Sequence, residues 1–335
     1  MAPLLKEIQD SPLLWLLALV PVVLVAQAIK PEAHTLLFVL SVLAIVPLAA
    51  LLSRATESVA AKTGDMIGGL LNATLGNLTE LIITLAALRV GQYVLVKASI
   101  AGAIITNTLF MLGVSFLLGG LKHHVQEYNR NGARLQAGLL FVATIAMLVP
   151  SVLADTDTTG PAVHFTQALS LGLSLLLIGL YGLGLIFTLG THREFFASAA
   201  HAESDETPWP LNLAIATLAG VTVLVALVGG AAEMVSAFAA ARKDRLDLSV
   251  GIALGSASQI ALFVAPVLVL ASYVIGPTPM DLQFWPAAVT MMLIATMVAA
   301  LVTNAGRSAW FVGALVTTVY VIFALALYLL PPRVQ

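Results

Sequence analysis

Two glutamates set inside bilayer-length apolar runs constrain this chain more than any other feature. Glu80 sits in Gly68-Gly69-Leu70-Leu71-Asn72-Ala73-Thr74-Leu75-Gly76-Asn77-Leu78-Thr79-Glu80-Leu81-Ile82. Glu233 sits in Val228-Gly229-Gly230-Ala231-Ala232-Glu233-Met234-Val235-Ser236. An ionisable side chain at the centre of a span costs roughly 2.5 kcal/mol or more, so its default reading is functional. The competing reading is a protonated glutamate that only joins helices through a hydrogen bond. Two such residues in similar settings weigh against it.

The rest of the chain is what surrounds those acids. Apolar runs that fit a roughly 30 Å hydrocarbon core fall near 13–29, 34–53, 66–88, 93–119, 134–153, 163–190, 211–241, 247–275, 282–303 and 308–330. Charged residues make up 10% of the chain, against about 25% in a soluble domain. Inside a bilayer every backbone donor and acceptor must be paired within the protein, which leaves helices or a closed barrel. No run alternates with the period of a barrel strand. The expectation is an all-α polytopic membrane protein of about 10–11 transmembrane helices.

The glutamates are 153 positions apart (233 − 80). The same shift lays Gly76 on Gly229, Arg89 on Arg242, Gly102 on Gly255 and Leu109-Phe110 on Leu262-Phe263. Alanine and leucine coincidences mean little in so apolar a chain; the Gly, Glu, Arg and Phe ones carry weight. Weak internal symmetry of this kind is the mark of a transporter built from an inverted repeat, with its site where the repeats meet near the midplane. The expected division is an N-terminal helix over 1–33, a first repeat over 34–190, an acidic linker over 191–210 and a second repeat over 211–335.

The run 211–241 breaks the pattern. Two apolar runs lead up to and contain Glu80, but only one leads to Glu233, so the second repeat reads as short by one helix. If that run crosses once, Lys and Arg divide eight to seven between the two sides; if it crosses twice or dips and returns, they divide eleven to four. The excess of Lys and Arg on cytoplasmic loops favours the second arrangement, with the N-terminus and the acidic linker in the cytoplasm. A deleted helix, a pair of short or re-entrant segments, and residues missing from the sequence all remain open.

The Gly68–Ile82 segment resembles the first signature of the calcium/proton exchangers, the CAX branch of the calcium/cation antiporter superfamily. Gly229-Gly230-Ala231-Ala232-Glu233, with Asp247-Leu248 and Gly255-Ser256-Ala257-Ser258-Gln259-Ile260-Ala261-Leu262-Phe263-Val264, resembles the second. The likeness covers residues 54–134 and 229–275 best. It departs from the family pattern at Gly230 and Met234, which stand where an Asn and a His are usual, so an amide oxygen and an imidazole are lost beside the acid. The resemblance implies a secondary antiporter exchanging Ca2+ for H+, with Ca2+ as transported substrate and no cofactor.

Calcium takes six to eight oxygen ligands at about 2.3–2.6 Å. Glu80 and Glu233 would supply charge, and Asn77, Asn107, Ser256 and Gln259 neutral oxygens. Asn77 and Glu80 share a helix face, as do Ser256 and Gln259, and Glu233 and Ser236. For each amide the plainer alternative is a helix-packing hydrogen bond. Gly76 and Gly229 loosen the helices beside the acids, or let neighbours approach closely. Glu57 lies one turn from Arg54 and would gate or simply pair with it. A bare carboxylate away from water is costly, so each glutamate holds a proton or a cation. Calcium and protons therefore compete for Glu80 and Glu233, and antiport follows if only an occupied site reorients.

Other classes fit less well. The chain has no cysteine and a net charge of −2, which excludes thiol chemistry and suggests no nucleic-acid partner. No His-Glu-x-x-His motif or Ser–His pair lies in the runs, so an enzyme is not expected. Exchange of Na+ or K+ for H+, and a transport-deficient protein that keeps the fold, are the alternatives. The expected setting is a bilayer, the inner membrane of a bacterial cell, with oligomeric state left open.

Overall fold

The computed structural model of the protein describes residues 8–9, 11–30, 77–153, 160–192, 209–228 and 232–329, with separate positions between 32 and 58. A 3-10 turn at Pro12–Ala18 leads into α1 (Leu19–Ile29). Then follow α2 (Leu78–Arg89), α3 (Tyr93–His123), α4 (Arg130–Leu153) and α5 (Gly160–Leu185), the last extended by a π turn, Ile186–Thr191. The second half holds α6 (Leu211–Val228), α7 (Ala232–Arg242), α8 (Leu246–Ile275), α9 (Pro286–Thr303) and α10 (Trp310–Leu329). Among the described residues, seven helices are long and apolar enough to cross a bilayer. The helical expectation holds because only internal pairing satisfies the backbone in lipid.

The two membrane faces are marked by what joins the helices. On one, β1 (Val125–Glu127) pairs antiparallel with β2 (Arg307–Ala309), Val125 opposite Ala309 and Glu127 opposite Arg307. The end of α7 meets the end of α3 there: Lys122 Nζ donates to the Arg242 carbonyl at 2.9 Å and Gln126 Nε2 to the Ala241 carbonyl at 3.0 Å. We call this the ribbon face. On the far face the Thr278 amide donates to Tyr93 Oη at 3.0 Å. Gly91 takes a φ of 76° in the α2–α3 turn, and a Cβ there would press on Pro277; only glycine enters that region at no cost. Lys97 Nζ and Asp281 Oδ1 pair at 2.6 Å beside it.

These contacts fix the directions of the helices. The start of α3 and the end of α8 share the far face, so the two run antiparallel. So do α4 and α9: Arg130 Nη2 reaches Asn304 Oδ1 at 3.3 Å at one end, and the Phe284 amide donates to Ser151 Oγ at 2.9 Å at the other. Helices one repeat apart in sequence thus point opposite ways. Both long central helices, α3 and α8, contain a π-helical turn near mid-length, at Thr106–Met111 and Ile260–Val264. Such turns are rare and gather at functional sites.

Within the run 211–241 the described residues are helical over α6 and α7. Arg242, at the end of α7, lies on the ribbon face with Lys122 and Arg307, in the eleven-to-four arrangement of charge. Two smaller boundaries also shift: α4 begins at Arg130, and α9 begins at Pro286 after an extended Trp285.

The main core joins α2, α3, α4, α8 and α9 around Leu88, Ile104, Leu109, Leu140, Ala261 and Met292. A smaller cluster packs Leu14, Val20 and Val23 of the N-terminal helix with Leu48, Trp209 and Ala214. Its Trp209 amide donates to Ser58 Oγ at 3.2 Å. The tightest helix contact is α3 on α10. A Cβ at Gly113 would meet Thr317, one at Gly120 the Trp310 backbone, and one at Gly313 the Leu117 backbone. Small residues let backbones touch where lipid offers no hydrophobic drive to associate.

Candidate cation site

From Glu80 to Arg89 in α2 and from Glu233 to Arg242 in α7 the helices rise nine residues, about 14 Å or half of a roughly 30 Å core. Each carries its glutamate in the first turn and an arginine in the last: Glu80 and Arg89, Glu233 and Arg242. That order complements the helix dipole at both ends. α2 ends on the far face and α7 on the ribbon face, so both acids fall near the midplane. The helical path breaks just before Glu80, where Asn77 has φ −101° and ψ 16°.

Asn77 is the hub. Its Nδ2 donates to Gln259 Oε1 and its Oδ1 accepts from Ser256 Oγ at 2.8 Å. Ser256 in turn accepts from Asn107 Nδ2 at 2.8 Å. The chain of contacts joins α2, α3 and α8 through residues as much as 182 positions apart. Glu233 lies beside the Ser256 hydroxyl and close enough to Glu80 for the two charges to repel. One Glu80 oxygen, Oε2, is buried without a hydrogen-bond partner. Thr84 Oγ1 donates to the Glu80 carbonyl one turn on.

A cavity of about 140 Å3 lies against Glu80, between α2, α3 and the π turn of α8. Thr84 and Ser99 give it hydroxyls; Ile83, Ile100 and Ile260 line the rest. Sequence reasoning passed over Thr84 and Ser99. The signal was available for Thr84, which is i+4 from Glu80 on the same face; Ser99 needed the register of α3 against α2.

The structure therefore brings together Glu80, Glu233, Asn77, Asn107, Ser256 and Gln259. Ser236 lies on α7, one turn after Glu233. Glu57, Gly76 and Gly229 lie outside the described residues. Among the described residues no three His, Cys, Asp or Glu side chains cluster as metal ligands. The donors are two carboxylates, three amides and a hydroxyl, all hard oxygens apart from the amide nitrogens. Such a set suits a hard cation and not a soft one. Two buried acids this close repel each other unless a proton or a cation relieves the charge.

Two acids carried to the midplane on helices that end on opposite faces, inside an inverted repeat, define a secondary membrane carrier. The chain belongs to the sodium/calcium exchanger protein family, whose model matches residues 33–190 and 213–329. It is similar to the Ca(2+)/H(+) antiporter ChaA of Bacillus subtilis (strain 168), 38% identical over 88% of this chain and 92% of that protein. It is 36% identical to a Ca(2+)/H(+) antiporter of Synechocystis, over 90% of this chain and 93% of the relative. Among solved structures, native YfkE superposes with a TM-score of 0.71 at 34% identity, over 94% of this chain and 98% of that one. The H+/Ca2+ exchanger CAX shares the fold, with a TM-score of 0.66 at 16% identity.

Proposed function

We propose that the protein is a secondary antiporter that exchanges Ca2+ for H+, with Glu80 and Glu233 as the shared binding groups. The observation that carries this is the pair of neighbouring carboxylates beside a four-residue chain of amides and a hydroxyl, in a chain whose relatives are named Ca2+/H+ antiporters. Calcium would take both glutamates together with oxygens of Asn77, Asn107 and Gln259 and of Ser256. When calcium leaves, the acids cannot both stay bare and close, so protons replace it. Only the filled forms reorient, and each half-cycle carries one kind of ligand. Ser236 would position Glu233, and Gly76 and Gly229 would let the half-helices open beside their acids. Glu57 would pair with Arg54 near the entrance.

The proposed division is an N-terminal helix, 1–33, then repeats over 34–190 and 211–335 joined by the linker 191–210. The basic ribbon face would be cytoplasmic, as would the N-terminus and linker, in the inner membrane of a bacterial cell. The test is calcium uptake into proteoliposomes driven by an imposed proton gradient. Wild type takes up calcium and dissipates the gradient; Glu80→Gln and Glu233→Gln each do neither. Retained flux in either variant would refute its role, and uptake of Na+ or K+ in place of Ca2+ would refute the choice of ion.

A further inference from the structure

Most hydroxyls buried in the spans bond back to their own helix, as Thr108 does to the Ile104 carbonyl at 2.6 Å and Ser151 to the Met147 carbonyl at 2.7 Å. This is the ordinary way for such a group to be satisfied in lipid. Ser115 and Ser249 are exceptions: both are fully buried and neither hydroxyl has a partner. An unmatched buried hydroxyl is costly and calls for a reason.

Their positions supply one. Ser249 is seven residues before Ser256 on α8, so it sits on the same face two turns, about 10 Å, nearer the ribbon. Ser115 is eight residues after Asn107 on α3, and the π turn between them absorbs the extra residue. It too lies two turns nearer the ribbon on the face that Asn107 presents. Asn107 and Ser256 are hydrogen-bonded, and the helices are antiparallel, so Ser115 and Ser249 reach the same depth. One turn further along α3, a Cβ at Gly119 would run into Gln126 Oε1, a third buried and unpartnered polar atom. The other end of Gln126 donates to the exposed Asp244 at 2.7 Å. Facing them on α7, Ala237 and Ala241 follow Glu233 at i+4 and i+8, both fully buried and small.

The equivalent positions in the other half of the membrane are apolar. Shifted by the repeat offset, Ser115 corresponds to Leu268 and Ser249 to Val96, and both are fully buried and apolar. At these two positions the pseudo-symmetry is broken: unpartnered hydroxyls in the ribbon half stand where the far half has apolar side chains, while the far half keeps the Thr84 and Ser99 hydroxyls at the Glu80 cavity.

We propose that Ser115 and Ser249, with Gln126 at the mouth, form a proton path from the ribbon face to Glu233 and Glu80. This rests on the antiport reading above and adds the side and the route by which the second substrate moves. Each hydroxyl accepts a proton on a lone pair as it passes its own onward through bridging water. The serine ends as it began, and the carboxylate gains the proton. Neither serine is a calcium ligand, so calcium movement that needs no proton should not depend on them.

The experiment compares wild type with Ser115→Ala, Ser249→Ala and the double variant in proteoliposomes. One assay follows proton movement coupled to calcium with an internal pH dye. The other follows exchange of labelled for unlabelled calcium at equal pH, which also reports correct folding. The expected result is a several-fold loss of coupled proton movement, largest in the double variant, with calcium self-exchange unchanged. Equal loss in both assays would overturn the proposal in favour of a packing role, and no loss in either would overturn it outright. Wild-type vesicles that exchange calcium without moving protons would instead overturn the antiport reading, and this inference with it.

Discussion

Asn77 joins two partners on α8 at once, through both ends of one amide. Replacing it by Ala leaves Gln259 and Ser256 to find new partners and removes a neutral oxygen beside Glu80. The Asn77→Ala variant should bind calcium about tenfold more weakly, near 1.4 kcal/mol, as an unmatched buried polar group typically costs. Isothermal titration in detergent checks this, with Ser236→Ala measured alongside. Competition also fixes the sign of the pH dependence. On the proposed reading protons and calcium contend for the same carboxylates, so the apparent calcium affinity should rise with pH and fall as the medium is acidified. Glu80→Gln removes one contested group, and the slope of log affinity against pH should become shallower. The acids, Asn77 and Gln259 were legible as candidates because polar residues in apolar runs stand out. That Asn77 touches Gln259 was not, since the contact depends on how α2 and α8 are rotated and on their depth.

At the scale of elements, the packing of α3 on α10 rests on glycine. Gly120→Val should collide with the Trp310 backbone and lower stability by about 2 kcal/mol, as overpacking does. Gly138, on α4, has open space where a Cβ would go. Gly138→Ala should therefore be neutral or mildly stabilising, by up to about 1 kcal/mol from helix propensity. Thermal unfolding in one detergent compares the two variants with wild type. The helices themselves were readable from apolar runs. The π turns in α3 and α8 carry no hydropathy signal. They change the register of Asn107 relative to Ser115, and so decide which polar groups line the same side.

For the whole molecule, the faces and the site can be tested together. The chain has no cysteine, so single reporters need no background removed. Lys243→Cys and Arg307→Cys should react with a membrane-impermeant thiol reagent from the same side, and Thr278→Cys from the other. Labelling of Lys243→Cys and Thr278→Cys from one side would contradict the antiparallel course of α3 and α8. Calcium should also raise the unfolding temperature, since it binds the folded state alone. The shift should be larger at pH 8 than at pH 6, and absent in Glu233→Gln; differential scanning fluorimetry reads all three.

The amino-acid sequence alone dictated that the chain lies in a bilayer as helices, because so few charges and so many long apolar runs leave the backbone no other way to pair. It also placed two acids where acids are expensive and tied them to a repeat. Tertiary structure decided which atoms meet: that Glu233 faces Glu80 beside Ser256, that Asn77 bridges to Gln259, and that two serines are left without partners on one side of the site. Those outcomes turn on the rotation and depth of packed helices, which many contacts across the chain set jointly and no local stretch encodes.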